Sequence, residues 1–399
     1  MKWIIIGITA VLLFIFLAWL DFWSGQKSHH KKPQVFNFDE VPASLNFIDN
    51  GIRLFDSMFQ ELNHAKSSIY MMFFTITKDP ISQELLSILK SKAQQGVKVY
   101  LLLDRFGSFK FSKKDIQELQ NSGVNFAYSQ TPSFPFLFYK IQRRNHRKIT
   151  VIDGEIGYTG GYNVGKEYIG KDPKFGNWRD YHLRVKGRMV SQLADVFMAD
   201  WKLTTGKELS HTKIAPKEQP NQMLTKVFPT DGVHLEDTWI QLFDNAQEEI
   251  LIGTPYFIPS SRLLNSLFQA AARGVKVSVI VPIKKDHPLV KETTLYFSKK
   301  AVPKGIKVHQ FKEGFYHSKV IIIDQKICDV GTANMDYRSL RLNKEVNVFF
   351  KDPVFIQNVR SIYFSDLERS IPLTKEQLKE IPIGTRIVGQ IGYLVRGLL

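Results

Sequence analysis

One spaced pattern of side chains occurs twice in this sequence, and no other feature restricts the fold as much. Residues 145–163 read NHRKITVIDGEIGYTGGYN and residues 317–334 read HSKVIIIDQKICDVGTAN. Both fit one template: His, one residue, Lys, four residues, Asp, six residues, Gly, two residues, Asn. The members are His146, Lys148, Asp153, Gly160 and Asn163, then His317, Lys319, Asp324, Gly331 and Asn334. At roughly one in twenty per residue type, such a template arises by chance in about one chain of this length in ten thousand. Two copies require a duplicated unit.

The duplication extends beyond the motifs. HAKSSI at 64–69 has a counterpart in NAQEEI at 245–250, and each follows a Leu-Phe-Asp run at 54–56 or 242–244. Apolar residues near the 3.6 period then predict helices from Ser82 and Ser261. Each ends at a glycine, Gly96 or Gly274, followed by the strand-like Val-Lys-Val, as expected of a helix stop and a buried parallel strand. This β-α-β alternation predicts an α/β fold with a helix-covered sheet in each of two similar halves, 46–205 and 223–371. A polar stretch with two prolines, 206–222, reads as the linker between them.

Residues 3–20 carry no charge. At about 1.5 Å per residue they span roughly 27 Å, close to the hydrocarbon thickness of a bilayer. Trp3 at one end and Trp19, Phe22 and Trp23 at the other form aromatic belts, so residues 1–24 read as an uncleaved transmembrane anchor. Only Lys2 precedes the span, whereas Lys27, Lys31 and Lys32 follow it within a basic juxtamembrane linker, 25–45. The positive-inside rule therefore puts the remainder in the cytoplasm, below a single-pass helix in the cell membrane. With 54 Lys and Arg against 38 Asp and Glu, the net charge of +16 points to polyanions: nucleic acid, an anionic membrane face or phosphorylated substrates. Hydrophobic residues at 44% exclude intrinsic disorder, and the lone Cys328 excludes a disulfide scaffold and zinc ribbons.

The template has a chemical reading. His and Lys at i and i+2 share one face of a strand, and the following ITVI and VIII runs are apolar, as central strands are. Two halves brought together would offer two imidazoles, two ammonium groups and the amides of Asn163 and Asn334 around one point. Cations and amide donors of this kind neutralise charge on a phosphoryl group as phosphorus becomes five-coordinate. One imidazole can attack and the other can protonate the leaving oxygen. A lysine beside each histidine opposes a divalent cation, so no metal and no cofactor is expected.

These paired motifs resemble those of the phospholipase D superfamily. The stretches GGYNVGKEYIGKDPKFGNWRDYHL from Gly160, TPYFIPS from Thr254 and GTANMDYRSLRLNKEVNV from Gly331 narrow the resemblance to bacterial cardiolipin synthases, the shorter forms with one N-terminal membrane helix. It covers roughly residues 45–370. The resemblance implies two α-β-α sandwich halves with the active site at their interface. It implies a membrane-bound phosphatidyltransferase condensing two phosphatidylglycerols to cardiolipin plus glycerol. The expected catalytic set is His146, Lys148, Asp153, His317, Lys319 and Asp324. Within it, His146 becomes phosphorylated, His317 serves as acid then base, and Asp153 and Asp324 are more structural than catalytic. In such proteins a carboxylate downstream of each motif orients the imidazole, and Asp180 and Glu345 occupy the matching positions. The implied partners are phosphatidylglycerol and cardiolipin in an anionic membrane, without nucleic acid; no oligomeric state is implied. Phospholipase D hydrolysis and nucleic-acid phosphodiester cleavage use the same chemistry and are the alternatives. A non-enzymatic membrane module is disfavoured by the intact His and Lys pairs.

Other stretches carry weaker signals. Residues 160–166 imitate a phosphate-binding loop, but Glu167 stands where Ser or Thr must bind magnesium. His182 reads as a core or supporting residue, Cys328 as a small buried one, and His29 and His30 as part of a solvated basic patch. Phe134, Phe136, Leu137 and Phe138, ahead of Lys140, Arg143 and Arg144, read as a loop that dips into the interface while its cations grip headgroups, the alternative being an ordinary core strand with a basic end. A C-terminal tail, 372–399, places Ile387, Ile391, Leu394, Val395 and Leu398 on one amphipathic face, packed on the body or laid on the membrane.

Overall fold

A computed structural model describes residues 2–209 and 222–399. The first half runs β1 (Val41–Ile48), α2 (Gly51–Asn63), β2 (Ser68–Phe73), α3 (Pro80–Gln94), β3 (Lys98–Asp104), α4 (Lys113–Asn121), β4 (Asn125–Ser129), α5 (Leu137–Gln142), β5 (Ile149–Ile152), β6 (Ile156–Gly160), β7 (Trp178–Arg179), β8 (His182–Gly187) and α6 (Met189–Thr205), all preceded by α1 (Lys2–His30). The second runs β9 (Met223–Asp231), α7 (Leu235–Asn245), β10 (Glu249–Gly253), α8 (Ser261–Ala272), β11 (Lys276–Pro282), α9 (Val290–Ala301), β12 (Lys307–Phe311), β13 (Phe315–Tyr316), β14 (Val320–Ile323), β15 (Ile327–Gly331), α10 (Tyr337–Arg341), β16 (Lys344–Phe350) and α11 (Pro353–Glu368). The chain closes with β17 (Ser370–Pro372), α12 (Lys375–Lys379) and α13 (Ile383–Leu394). Most of the stretch read as the interdomain linker, 210–221, lies outside the described residues.

Helix starts follow local chemistry. Asp79 accepts from Ser82 N ahead of Pro80, and Ser260 accepts from Leu263 N at the equivalent helix of the second half. A capping side chain satisfies a backbone donor that the first turn leaves unpaired.

The strands form one sheet of fifteen, in the order β17-β12-β11-β10-β14-β15-β16-β9-β1-β8-β6-β5-β2-β3-β4. Outward from its middle, each half repeats the same arrangement, and β17 is added at one edge. The halves meet where β1 and β9 pair antiparallel, Val41 opposite Thr225 and Ala43 opposite Met223. The repeat therefore yields two α-β-α halves fused edge to edge. Side-chain alternation explains the layering: Ile69, Met71 and Phe73 of β2 face α2 and α3, whereas Tyr70 and Met72 face α6. Core residues of α6 and α11, among them Phe197, Trp201, Ile356 and Tyr363, belong to a single cluster under both halves.

The N-terminal helix is longer than expected and enters the stretch read as linker. Its apolar shaft is exposed from Trp3 to Leu20, but its last turns dock on the body. His29 Nε2 donates to the Asp231 carbonyl at 2.9 Å and His30 Nε2 to the Arg341 carbonyl at 3.2 Å. The pair is thus a docking contact and not a solvated patch. The loop with the aromatics also differs from expectation. Its α5 packs on α1 through Phe22 against Phe138 and Tyr139, and Phe134 stays 82% exposed. Arg143, however, pairs with Asp231, and the buried Arg144 with Asp104 at 3.1 Å. These two cations hold the protein together and are unavailable to headgroups. Cys328 is buried, as its apolar strand predicts.

Candidate functional site

The motif glycines lie where neighbouring strands come closest. A Cβ on Gly160 (φ +150) would stand 2.6 Å from His182 Cα of β8, and one on Gly331 2.7 Å from Asn347 Cα of β16. The motif aspartates are alike in another way. Asp153 (φ 53) and Asp324 (φ 51) follow β5 and β14 directly. Asp153 accepts from the backbone N–H groups of Lys66, Ser67 and Ser68, and Asp324 from those of Gln247, Glu248 and Glu249. Each locks the turn before a central strand. Neither lines the cleft described below.

Each motif histidine precedes its strand and is fixed to the opposite half. His146 N donates to the Lys344 carbonyl at 2.9 Å, and His317 N to the Arg179 carbonyl at 2.7 Å. These bonds place each imidazole beside the carboxylate that follows its backbone partner. His146 Nδ1 donates to Glu345 at 2.9 Å, and His317 Nδ1 to Asp180 at 2.5 Å. The halves therefore exchange carboxylates: the first-half imidazole is held by the second half, and the reverse. Glu345 also accepts from Thr332 Oγ1 at 2.6 Å and Ser339 Oγ at 2.8 Å, which fixes its plane. With both Nδ1 positions committed, Nε2 is the free nitrogen of each ring.

Two buried acids brace this exchange. Asp200 of α6 accepts from Arg147 Nη1 at 2.8 Å, Lys344 Nζ at 2.6 Å and Asn145 Nδ2 at 3.0 Å. Asp366 of α11 accepts from Arg179 Nε at 2.8 Å and Tyr181 Oη at 2.6 Å.

Both histidines open on one cleft of about 550 Å³, with Asn163, Asn334, Thr75, Tyr168, Trp178, Tyr256, Asp286 and Arg338 among its lining. The lysines sit behind them. Lys148 Nζ donates to the His146 carbonyl at 2.9 Å, Lys319 Nζ to the His317 carbonyl, and neither lines the cleft. Asn163 Oδ1 accepts from Thr75 N at 3.2 Å, which turns its NH₂ toward Tyr168 Oη, 3.4 Å away. Asn334 Nδ2 donates to Asp336 at 3.1 Å, and its Oδ1 has no protein partner.

Burial dominates the electrostatics. It brings His146 down to about 4, helped by Lys148 and opposed by Glu345. His317 likewise falls to about 4 through burial and Lys319, against the pull of Asp180. Burial lowers Lys148 to about 7 and Lys319 to about 8, against the same carboxylates. For Glu345 burial works upward, but His146 and Lys148 outweigh it and hold the carboxyl below its usual range. Asp180 is held low in the same way by Lys319 and His317. The cleft therefore holds neutral imidazoles over ionised carboxylates near pH 7.

Several cleft residues escaped sequence reasoning. Tyr256 lies within a stretch singled out only for its resemblance, and its hydroxyl bonds Asp286; neither has a spacing relative to the motifs. His182, at the Tyr158 and Tyr162 rings, is core, and burial lowers its pKa to about 3. Lys166 of the phosphate-loop imitation pairs with Asp172 at 3.7 Å. Among the described residues, no group of three or more His, Cys, Asp or Glu side chains converges to hold a metal ion.

Two copies of one α/β unit, trading carboxylates across a shared cleft onto which the histidines of both His-Lys motifs open, define a phospholipase D-like protein. Comparison with known proteins agrees and goes further. The family described as cardiolipin synthase, PLD-like domain, matches residues 58–201 and 239–367. Minor cardiolipin synthase ClsB of Bacillus subtilis (strain 168) is 40% identical over 380 residues, 95% of each chain. Cardiolipin synthase of Geobacillus sp. (strain WCH70) is 35% identical over 384 residues, 93% of this chain and 76% of that one. Among solved structures, phosphatidylserine synthase of Haemophilus influenzae Rd KW20 shares the fold, with a TM-score of 0.71 at 15% identity over 94% of this chain and 100% of that one. The chain belongs to the cardiolipin synthase family. It is an enzyme, a phospholipid phosphatidyltransferase, and its one long apolar N-terminal helix is consistent with a single-pass membrane protein.

Proposed function

We propose that this enzyme joins two phosphatidylglycerols into cardiolipin and releases glycerol, through a phosphatidyl-histidine on His146. The observation that carries the reading is the pair of imidazoles in one cleft, each with Nδ1 tied to a carboxylate of the other half. That tie leaves Nε2 of His146 as a neutral nucleophile. Attack on phosphorus forms the N–P bond and breaks the bond to the glycerol headgroup, whose oxygen takes a proton from His317 Nε2. The phosphate's own negative charge raises the pKa of His317, and Asp180 stabilises the imidazolium. A glycerol hydroxyl of the second lipid then returns its proton to His317 and attacks phosphorus. The N–P bond breaks and His146 is restored.

Lys148 and Lys319, behind the histidines and shielded from water, supply positive charge for the five-coordinate state. Asn163 and Asn334 hold its oxygens. These cations do the neutralising work for which other phosphoryl-transfer sites use a divalent metal. Asp153 and Asp324 contribute by holding the strands. Acyl chains need an apolar path, since each exposed CH₂ costs about 0.8 kcal/mol. The exposed Phe134, next to a helix packed on α1, supports the aromatic loop as part of that path. The Lys27, Lys31 and Lys32 cluster supports a cytoplasmic catalytic body.

The test is a product assay: purified full-length protein on phosphatidylglycerol vesicles. Cardiolipin with free glycerol in equal amounts is expected. Phosphatidic acid alone would make the enzyme a hydrolase.

A further inference from the structure

The last helix turns its large apolar side chains away from the protein. α13 packs on α9 through its smallest residues: a Cβ on Gly389 would come 2.7 Å from Glu292 O, and one on Gly392 1.8 Å from Thr293 Oγ1. Tyr393 completes that contact, its ring 4.9 Å from that of Tyr296. Ile383, Ile387, Ile391 and Leu394 form a stripe on the other side, 77%, 50%, 47% and 76% exposed. A helix that needed only to cover the body would have turned this stripe inward. From Ile383 to Leu399 there is no acidic residue, while Arg386 and Arg396 are present.

The position of the helix says what covers the stripe. Arg338 of α10 donates through Nη2 to the Gln142 carbonyl at 2.6 Å and through Nη1 to the Leu398 carbonyl at 3.1 Å. One guanidinium thus joins the end of α5, which packs on the apolar α1, to the segment after α13. Arg338, Leu398 and Leu399 all line the cleft that holds the histidines. The segment after α13 therefore lines the cleft, and the same arginine ties it to α5, the helix that packs on α1.

We propose that the outward face of α13 lies in the headgroup boundary of an anionic phospholipid bilayer, as a second membrane contact that turns the cleft toward the lipid surface. This rests on reading α1 as the membrane anchor and phospholipid as the substrate. A segment with two arginines and no acid, 383–399, suits an anionic surface, and the stripe has the residues that bury at such a boundary.

The test uses the full chain with single added cysteines, Cys328 being buried and shielded from polar reagents. An environment-sensitive fluorophore is placed at Ile391→Cys, at Ile8→Cys in α1, and at Val354→Cys. Val354 follows β16, which leads from Glu345 at the site to Phe350, so it sits at the far end of the sheet. The labelled proteins are reconstituted in phosphatidylglycerol–phosphatidylethanolamine vesicles containing nitroxide-bearing lipids. Strong quenching at Ile391 by nitroxides near the headgroup, at least about three times that at Val354, is expected of an interfacial helix. Quenching at Ile391 no greater than at Val354, or energy transfer between labelled copies in its place, overturns the proposal. Absence of quenching at Ile8 would overturn the anchor reading separately, because the tail label reports on its own contact.

A triple variant, Ile383→Ser with Ile387→Ser and Leu394→Ser, should keep the wild-type denaturation midpoint and its turnover of a soluble short-chain phosphodiester. Cardiolipin formation on vesicles should fall about five-fold or more. Undiminished activity on vesicles would overturn the proposal.

Discussion

Replacing Lys148 by Met should stabilise the folded protein while stopping its chemistry. Lys148 is fully buried, and burial, against the pull of Glu345, brings its ammonium down from 10.5 to about 7. The unfolded chain keeps the ordinary value, so between pH 7 and 10.5 it binds the extra proton and stability rises with pH. Below pH 7 both states are protonated and the full cost of the buried charge, about 5 kcal/mol, applies; at pH 7 it is about 4 kcal/mol. Methionine removes that cost but leaves the His146 carbonyl without its donor, a loss of about 1–3 kcal/mol. The balance is a net gain of about 2 kcal/mol at pH 7, which falls to about zero near pH 9 and becomes a loss of about 1 kcal/mol near pH 10. Urea denaturation of the detergent-solubilised full-length protein at pH 6, 7, 9 and 10 measures it, beside a turnover assay in which activity should fall about 10³-fold. A variant less stable than wild type at pH 7, or a gain that does not change with pH, would show that the buried ammonium carries no such cost.

Further expectations follow from the same groups. Turnover of a soluble phosphodiester should fall as pH drops toward 4, where His146 takes a proton, and again as pH rises through 7 to 8, where Lys148 and Lys319 lose theirs. Rates unchanged up to pH 9 would show that the lysine charge is not used. Full activity is expected in excess chelator, since the lysines supply the positive charge; a loss restored by added zinc or magnesium would contradict the metal-free mechanism. Asp200→Asn should destabilise the protein by about 3–5 kcal/mol, because Arg147 and Lys344 would share one neutral amide in the core. An unchanged urea midpoint would show that these cations find other partners.

The duplicated template made much of the architecture legible, because strand alternation and glycine stops read the same way in both halves. Legibility ended where partners are distant in sequence. Nothing in the spacing within either half tells that Glu345 holds His146 and Asp180 holds His317, since that exchange depends on how the halves join. The edge-to-edge fusion through β1 and β9 is hidden for the same reason. Arg143 and Arg144 look like surface cations beside aromatics, but Asp231 and Asp104, far along the chain, draw them inward. His29 and His30 look solvated because the carbonyls that receive them belong to residues 231 and 341. In the tail the period identifies the apolar stripe, yet the two glycines decide which side meets the body.

In the proposed reaction a phosphatidyl group passes through His146 while His317 handles the proton. This route is tested most directly by acid-free quenching of the enzyme during turnover of phosphatidylglycerol, followed by proteolysis and mass spectrometry of the modified peptide. A phosphatidyl adduct is expected on the peptide carrying His146, and its disappearance in His146→Asn with His317 intact. An adduct on His317 instead would contradict the assignment.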